Sequence, residues 1–242
     1  MARTELAEDP SALLLVGATV IALSARMRSE PTQAVAAMAR RLGHDLRGPL
    51  LNLRMGLQLL AQAEEEEREA LATSLTGELD RTERLMAALV DLARSGEPAR
   101  WSCRLASIVH QAVREVPMPE GVELVLEVED TPPAELDPDQ QLQLFRHLLR
   151  NAVLAVGDRG RIRVRLRGCE ARVEDSGPGV EPERVQQIFE PLVSSFPDGA
   201  GLGLTICRRI VQGHGGDIRV ERSQELGGAC FVVRYAGDKQ DG

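Results

Sequence analysis

The sequence predicts an α+β protein in two parts: an antiparallel helical hairpin forming a dimeric four-helix bundle, followed by a two-layer α/β sandwich. Three observations carry this expectation. Between Val35 and Leu92 apolar residues recur every three or four positions, the period of an amphipathic helix, in two stretches divided by the polar run Gln62 to Arg68. Ser95-Gly96-Glu97-Pro98 then breaks the helical pattern. Beyond it, short β-branched, alternating runs interleave with helical stretches, as expected for a sheet covered by helices on one face. The expected divisions are a leader over 1–31, a helical domain over 32–96, a sandwich domain over 97–236 and a tail over 237–242.

The leader is almost wholly apolar or small from Ala12 to Ala25 and is followed by Arg26 and Arg28. That run is shorter than the ~20 residues a spanning helix needs. Glu5, Glu8 and Asp9 also precede it where a signal peptide would be basic. A helical extension packing on another surface is therefore favoured over membrane association. The first long helix carries its seam on Val35, Met38, Leu42, Leu46, Pro49, Leu53, Leu57 and Leu60, and the second on Leu71, Leu75, Leu79, Thr82, Leu85, Leu89 and Leu92. A hairpin of two such helices is best buried by a second copy, so a homodimer is expected. Glu64 to Glu67 read as a solvated turn or helix start rather than a metal site. In the second domain Leu105 to Val116, Asp139 to Val156 and Leu202 to Gln212 read as helices. Val122 to Val128, Arg161 to Leu166, Arg172 to Glu174, Ile218 to Glu221 and Cys230 to Tyr235 read as strands.

Composition narrows the function classes. The 242 residues are 43% hydrophobic, enough for a core, and the net charge of -8 gives no general attraction to nucleic acid or anionic membrane. Cys103, Cys169, Cys207 and Cys230 lie far apart, without the close pairing of a zinc or redox site, which suits a reducing cytoplasm. Arg161, Arg163, Arg165 and Arg167 alternate with Ile162, Val164 and Leu166, as on a sheet with one exposed face. Arg208 and Arg209 read as helix-surface charge and His110 as a surface or packing residue. His214 sits at a helix end, where its charge and the following glycines suit termination.

Four separated motifs carry chemistry. In His44-Asp45-Leu46-Arg47-Gly48-Pro49 the histidine stands two residues from both Leu42 and Leu46, about 200° round the helix from each, so it points away from the seam. Gly43 and Gly48 beside it cost about 1 kcal/mol each relative to Ala in a helix, and Pro49 removes a backbone donor. Locally unfavourable residues around one polar side chain mark a site. Asn151 lies at the edge of the apolar stripe Phe145, Leu148, Leu149, Ala152 and Val153, one turn after His147, where it looks into a cavity beside the sheet. Asp175-Ser176-Gly177-Pro178-Gly179 leaves a strand, and its glycines allow close approach to a ligand. Gly199-Ala200-Gly201-Leu202-Gly203-Leu204 opens a helix whose first N–H groups suit phosphate.

From about Gln33 to Tyr235 this order of motifs resembles bacterial two-component sensor histidine kinases, with a HisKA-type dimerisation and phosphoacceptor domain followed by a GHKL, or HATPase, catalytic domain. The resemblance implies that His44, in the H-box, is the phosphoacceptor and that Asp45 assists it. An acceptor such as Asp45 can take the ring's second N–H and stabilise the imidazolium that develops. By the same resemblance Asn151, in the N-box, binds the Mg2+ that bridges the phosphates of ATP, for which an amide oxygen is a suitable hard ligand. Asp175 accepts a hydrogen bond from the exocyclic amine of adenine. Gly177, Gly179, Gly201 and Gly203 line the nucleotide, with His147 as a further pocket residue. Ile188-Phe189-Glu190-Pro191 resembles the F-box, and the run ending in Gly203-Leu204 the G2 box that closes a short ATP lid.

Three positions depart from the family pattern. Gly48 stands where many relatives carry Thr or Asn to position water for dephosphorylating the regulator, His147 where the family often has Asn, and Phe196 near the place of a phosphate-directed lysine. The expected function is ATP-dependent autophosphorylation of His44 and phosphotransfer to a response-regulator receiver domain, with weak or absent phosphatase activity. The alternative is a non-catalytic, ATP-dependent scaffold. A third class, an ATPase of the same superfamily, would not call for the His44 hairpin. An upstream sensor protein is a candidate source of the input, and nucleic acid is not an expected partner.

Overall fold

The computed structural model describes residues 47–94, 96–129, 131–191, 193–194, 196 and 201–235. The chain forms two compact units that part between Thr82 and Glu83. Helix α1 (Arg47–Gln62) and helix α2 (Glu65–Arg94) are joined by only Ala63 and Glu64. Arg68 secures this turn: its Nε donates to the Ala63 carbonyl at 3.0 Å and its backbone N–H to that of Glu64 at 3.2 Å. The acidic run is thus a helix start, one of the two readings expected. The turn consumes less chain than the predicted separator from Gln62 to Arg68, because charged residues continue a helix as readily as they end one.

Within the first unit the seam follows the predicted one at Pro49, Leu53, Leu60, Leu71, Leu75 and Thr82 and departs from it at Leu57 and Leu79. Pro49, Leu53, Gly56 and Leu60 are half-buried on α1, as are Leu71 and Leu75 on α2, and a Cβ on Gly56 would overlap the Leu75 side chain. Gly56 rather than Leu57 therefore faces α2 at this level, since a residue without a side chain leaves room for Leu75. Leu57 and Leu79, assigned to the seam from periodicity, are 61% and 48% exposed. Leu50, Leu51, Met55 and Leu59 are exposed as well, so α1 is apolar on the face turned away from α2 too. Among the described residues no helix is long and apolar enough to cross a membrane.

The second unit holds the sandwich. Its elements run β1 (Trp101–Cys103), α3 (Leu105–Glu115), β2 (Gly121–Val128), β3 (Ala134–Leu136), α4 (Pro138–Val156), β4 (Arg159–Arg167), β5 (Glu170–Asp175), two single 3-10 turns (Pro182–Arg184 and Gln187–Phe189), α5 (Gly203–Gly213), β6 (Asp217–Arg222) and β7 (Ala229–Arg234). The main sheet is mixed, in the order β2-β4-β5-β7-β6, with β2 and β4 parallel and the other neighbours antiparallel. Parallel pairing of β2 with β4 requires a crossover, which α4 supplies. Helices α3, α4 and α5 give the core Ile108, Val109, Leu144, Phe145, Leu148, Ile206 and Ile210, against Ile162, Val164, Leu166, Val173, Phe231 and Val233 from the strands. All five predicted strands and all three predicted helices of this domain are present. The small β1–β3 ladder was not predicted, because three-residue strands carry too little alternation to register.

The other sheet face is a lattice of ion pairs, as the alternating arginines imply. Arg165 Nε donates to Glu174 Oε1 at 2.9 Å, Arg172 Nη1 to Glu221 at 2.8 Å and Arg234 Nε to Glu170 at 2.5 Å, while Arg163 pairs with Glu225. Glu174 is 2% exposed and also accepts from Ser223 Oγ at 2.6 Å, so its charge is compensated on both sides. The four cysteines are free thiols, as read from their spacing. Burial raises the Cys207 pKa and, with the Glu174 charge, pushes Cys230 up to about 12, which leaves both inert as thiolates.

His214 caps the end of α5 and is followed by Gly215 at φ +73°, as its sequence reading expects, but not through its charge. It is buried, its Nδ1 lies 2.8 Å from the Ile210 carbonyl and its Nε2 accepts the Asp137 N–H at 3.0 Å. Donating at one nitrogen while accepting at the other assigns a neutral ring. It is a staple between the end of α5 and the start of α4, not a charge at a helix terminus. Arg208 is exposed, as expected of surface charge, yet its guanidinium stacks 5.0 Å from the Phe189 ring centre. His110 is exposed, as expected.

Candidate nucleotide site

Asp175 is the last residue of β5 and shares the phase of Ala171 and Val173, which face the helices, so its carboxylate enters the covered side of the sheet. It is 1% exposed. Two backbone donors fall on one of its oxygens: Gly177 N–H donates to Oδ1 at 2.9 Å and Ala229 N–H to the same atom at 3.1 Å. Oδ2 has no partner among the described residues. Burial raises the pKa of this carboxyl against the lowering effect of those two bonds.

A carboxyl whose folded pKa lies above its unfolded value binds protons more tightly when folded, so the fold gains stability as pH falls and is penalised at neutral pH. Replacing Asp175 by the isosteric, uncharged Asn is accordingly expected to leave the melting temperature at pH 7.5 equal to or above that of the parent. The difference should shrink as the pH is lowered toward the ordinary carboxylate range. A clear fall in melting temperature at pH 7.5 would contradict this account of the site.

Helix α4 organises the rest. Asp137 caps it, accepting from the N–H groups of Asp139 at 3.1 Å and Gln140 at 3.0 Å through Oδ1, with Pro138 in the first turn. His147, Asn151 and Ala155 follow one another at four-residue intervals and so share one face of the helix. At one end of this row a Cβ on Gly203, the first residue of α5, would lie 3.3 Å from His147 Nδ1. At the other end a Cβ on Gly177 would lie 2.6 Å from the Ala155 carbonyl oxygen, contact that only glycine permits. Asn151 stands between, half-buried, with no side-chain hydrogen bond among the described residues. The loop after Asp175 and the start of α5 are thus both held against α4, on either side of Asn151.

His147 is further constrained. Its Nε2 lies 3.2 Å from Asp91 Oδ2, within ion-pair reach but not aligned as a hydrogen bond, and is otherwise buried. Gly179 and Gly201 have φ of +78° and +66°, which glycine adopts without strain. The F-box turn is tied to α5, since Thr205 Oγ1 donates to the Phe189 carbonyl at 3.1 Å. Phe196 is half-buried in a turn closed by Ser194 Oγ. His44 and Asp45 lie outside the described residues.

Two residues of the site were not read from sequence. Gly228 and Ala229 sit against Asp175, and a Cβ on Gly228 would overlap both its backbone oxygen and Oδ1. Gly227-Gly228 between two strands is an ordinary hairpin signal and by itself points to no ligand. Asp137-Pro138 is a cap signal, and the helix begins at Pro138, one residue before the predicted start at Asp139.

Among the described residues no three His, Cys, Asp or Glu side chains converge as a metal cluster. A lone free amide such as Asn151 instead fits magnesium, which keeps water and phosphate oxygens as most of its ligands.

The fold and site define an ATP-binding domain of the HATPase_c class: residues 136–238 match the family described as histidine kinase-, DNA gyrase B-, and HSP90-like ATPase. Over a longer span the chain is 30% identical to the sensor histidine kinase ZraS of Klebsiella oxytoca, across 90% of this chain and 50% of ZraS. Full-length ShkA, solved in complex with AMPPNP, is 26% identical and superposes over 84% of this chain and 46% of ShkA with a TM-score of 0.54. The histidine kinase AdeS of Acinetobacter baumannii shares the fold, with a TM-score of 0.59 over 81% of this chain and 98% of that one at 19% identity. The chain thus carries a histidine kinase-type ATPase domain and is similar along most of its length to two-component sensor histidine kinases. It spans about half the length of the curated relatives it matches.

Proposed function

We propose that this chain is a sensor histidine kinase that autophosphorylates His44 from Mg-ATP and passes the phosphoryl group to a response-regulator aspartate. The observation that carries the reading is the extent of the match to ZraS: a span of 90% of the chain takes in His44 as well as the ATP-binding domain. In this reading Asp45 orients His44 and stabilises the imidazolium as the ring attacks the γ-phosphorus. Asp175 accepts the adenine amine through Oδ2, and Asn151 supplies a protein ligand to magnesium, whose charge would neutralise the phosphates during transfer. The glycine-lined starts at Gly177 and Gly203 bring backbone close to the nucleotide, with Gly179, Gly201 and His147 completing the wall.

The divisions 32–96 and 97–236 are the corresponding phosphoacceptor and catalytic domains. The exposed apolar residues Leu50, Leu51, Met55, Leu57 and Leu59 support a second copy completing a four-helix bundle. A cytoplasmic site of action fits the free thiols and the receiver domain as partner.

Incubation with γ-labelled ATP and magnesium tests the proposal. The expected product is an acid-labile, alkali-stable label on the parent chain and none on His44→Ala. Tight ATP binding without any label would favour the scaffold instead.

Gly48 carries a second expectation. It is exposed on α1, and a Cβ there meets nothing within 4 Å. With no side chain to position water, the chain should not accelerate dephosphorylation of its phosphorylated regulator, while Gly48→Thr, which fits without clash, should raise that rate about tenfold. Rapid dephosphorylation by the parent chain would defeat this.

A further inference from the structure

We infer that the β6–β7 hairpin, through Gly228 and Ala229, holds one oxygen of Asp175 in place and turns the other toward the base, and so sets the nucleobase preference of the site. The inference rests on the reading of Asp175 as the adenine acceptor and assigns the selection to residues outside the four motifs.

The geometry is closed around one atom. Ala229 N–H and Gly177 N–H both donate to Oδ1, from two different segments of chain. Gly228 lies in the space between them: its N–H donates to the Asp175 carbonyl at 3.2 Å, and a Cβ on it would overlap Asp175 Oδ1 and stand 2.7 Å from Gly177 N. The hairpin is itself held in place. Ser223 N–H donates to the Gly228 carbonyl at 2.9 Å, Ser223 Oγ accepts the Leu226 N–H at 3.0 Å, and the same hydroxyl donates to buried Glu174 at 2.6 Å. Gly179 leans on it from the other side, where a Cβ would lie 3.4 Å from the Gly228 carbonyl carbon.

A carboxylate with one oxygen occupied by two donors has only the other for a ligand. That oxygen accepts, so an amine at C6 of the purine is favoured and a carbonyl at C6 is repelled. Turning the carboxylate over exchanges two equivalent oxygens and restores the same arrangement, one oxygen held by the two N–H groups and the other facing the base.

The clamp makes a test through Asp175→Asn, the variant expected above to fold at least as well as the parent. Held by the two N–H groups, its Oδ1 must occupy the clamped place and its NH2 must face the base. Affinities for ATP and for inosine triphosphate, which carries a carbonyl at C6, would be measured by calorimetry on the full chain.

The parent should favour ATP by about tenfold or more, and Asp175→Asn should reverse the order. Gly228→Ala, which displaces the carboxylate, should bring the ratio toward one. Gly227→Ala disturbs the hairpin tip at φ +84° but meets no neighbour, and should keep the parent ratio. An Asp175→Asn chain that still prefers ATP, or loses both nucleotides alike, overturns the clamp, as does a folded Gly228→Ala chain with the parent ratio. A parent chain that binds neither nucleotide defeats the ATP reading of the site along with the inference, and is distinct from each of those results.

Discussion

Replacing Asn151 by alanine is expected to lower the autophosphorylation rate about 100- to 1,000-fold, the usual cost of removing one group that stabilises transition-state charge. The loss should be functional and not structural. Asn151 is half-buried, its amide makes no hydrogen bond among the described residues, and alanine is the better helix former in the middle of α4. Stability should therefore change by no more than ~0.5 kcal/mol, or about 1–2 °C in melting temperature. The rate would be followed with labelled ATP across a magnesium titration and the fold by thermal melting. A variant that keeps more than a third of the parent rate at limiting magnesium would remove Asn151 from the proposed metal site.

Asp137→Ala should do the reverse, costing stability first. Its Oδ1 caps α4 through Asp139 and Gln140, and its Oδ2 accepts the Ala99 N–H at 2.8 Å, so one side chain joins the start of the domain to the helix that carries Asn151. Its backbone N–H meets His214, and nearby Arg100 donates to the Gly213 carbonyl at 2.9 Å, which draws in the end of α5. Loss of a cap and of a charged acceptor for a part-buried amide amounts to about 2–3 kcal/mol. At this size that is about 5–10 °C in melting temperature. Asp137→Asn, which can still cap through its oxygen but presents an NH2 toward Ala99, should lose roughly half as much. Melting curves that place Asp137→Ala within about 1 °C of the parent would show that this junction carries little stability.

How much of this was legible in sequence depended on the range of the interaction. Period-two alternation identified β4 and its arginine face, and the compensating glutamates on neighbouring strands were where an exposed antiparallel face requires them. Period three-and-four identified the helices and most of the hairpin seam, yet missed one contact by one residue. An apolar pattern ranks Leu57 above Gly56, whereas close packing against Leu75 favours the residue with no side chain. His214 shows the same limit. Its place beside glycines at a helix end was visible, but its role depends on the Asp137 N–H, 77 residues away.

The candidate site divides in the same way. Asp175 could be located from its motif, and its direction from the phase it shares with Ala171 and Val173. Its hydrogen bonds could not, because one of the two donors comes from Ala229, which is remote in sequence and ordinary in composition.

By itself the sequence determined the two-part architecture, the strands and helices of the sandwich and the order of the nucleotide motifs. Those follow from local periodicity, turn chemistry and motif spacing, which are properties of neighbouring residues. Only the tertiary structure decided that His147, Asn151 and Ala155 form a row touched at both ends by glycines, that His214 is a neutral staple, and that one oxygen of Asp175 is already taken. Each of these depends on atoms brought together by the mixed sheet and its crossover. Steric fit and hydrogen-bond direction between distant segments leave almost no trace in local pattern.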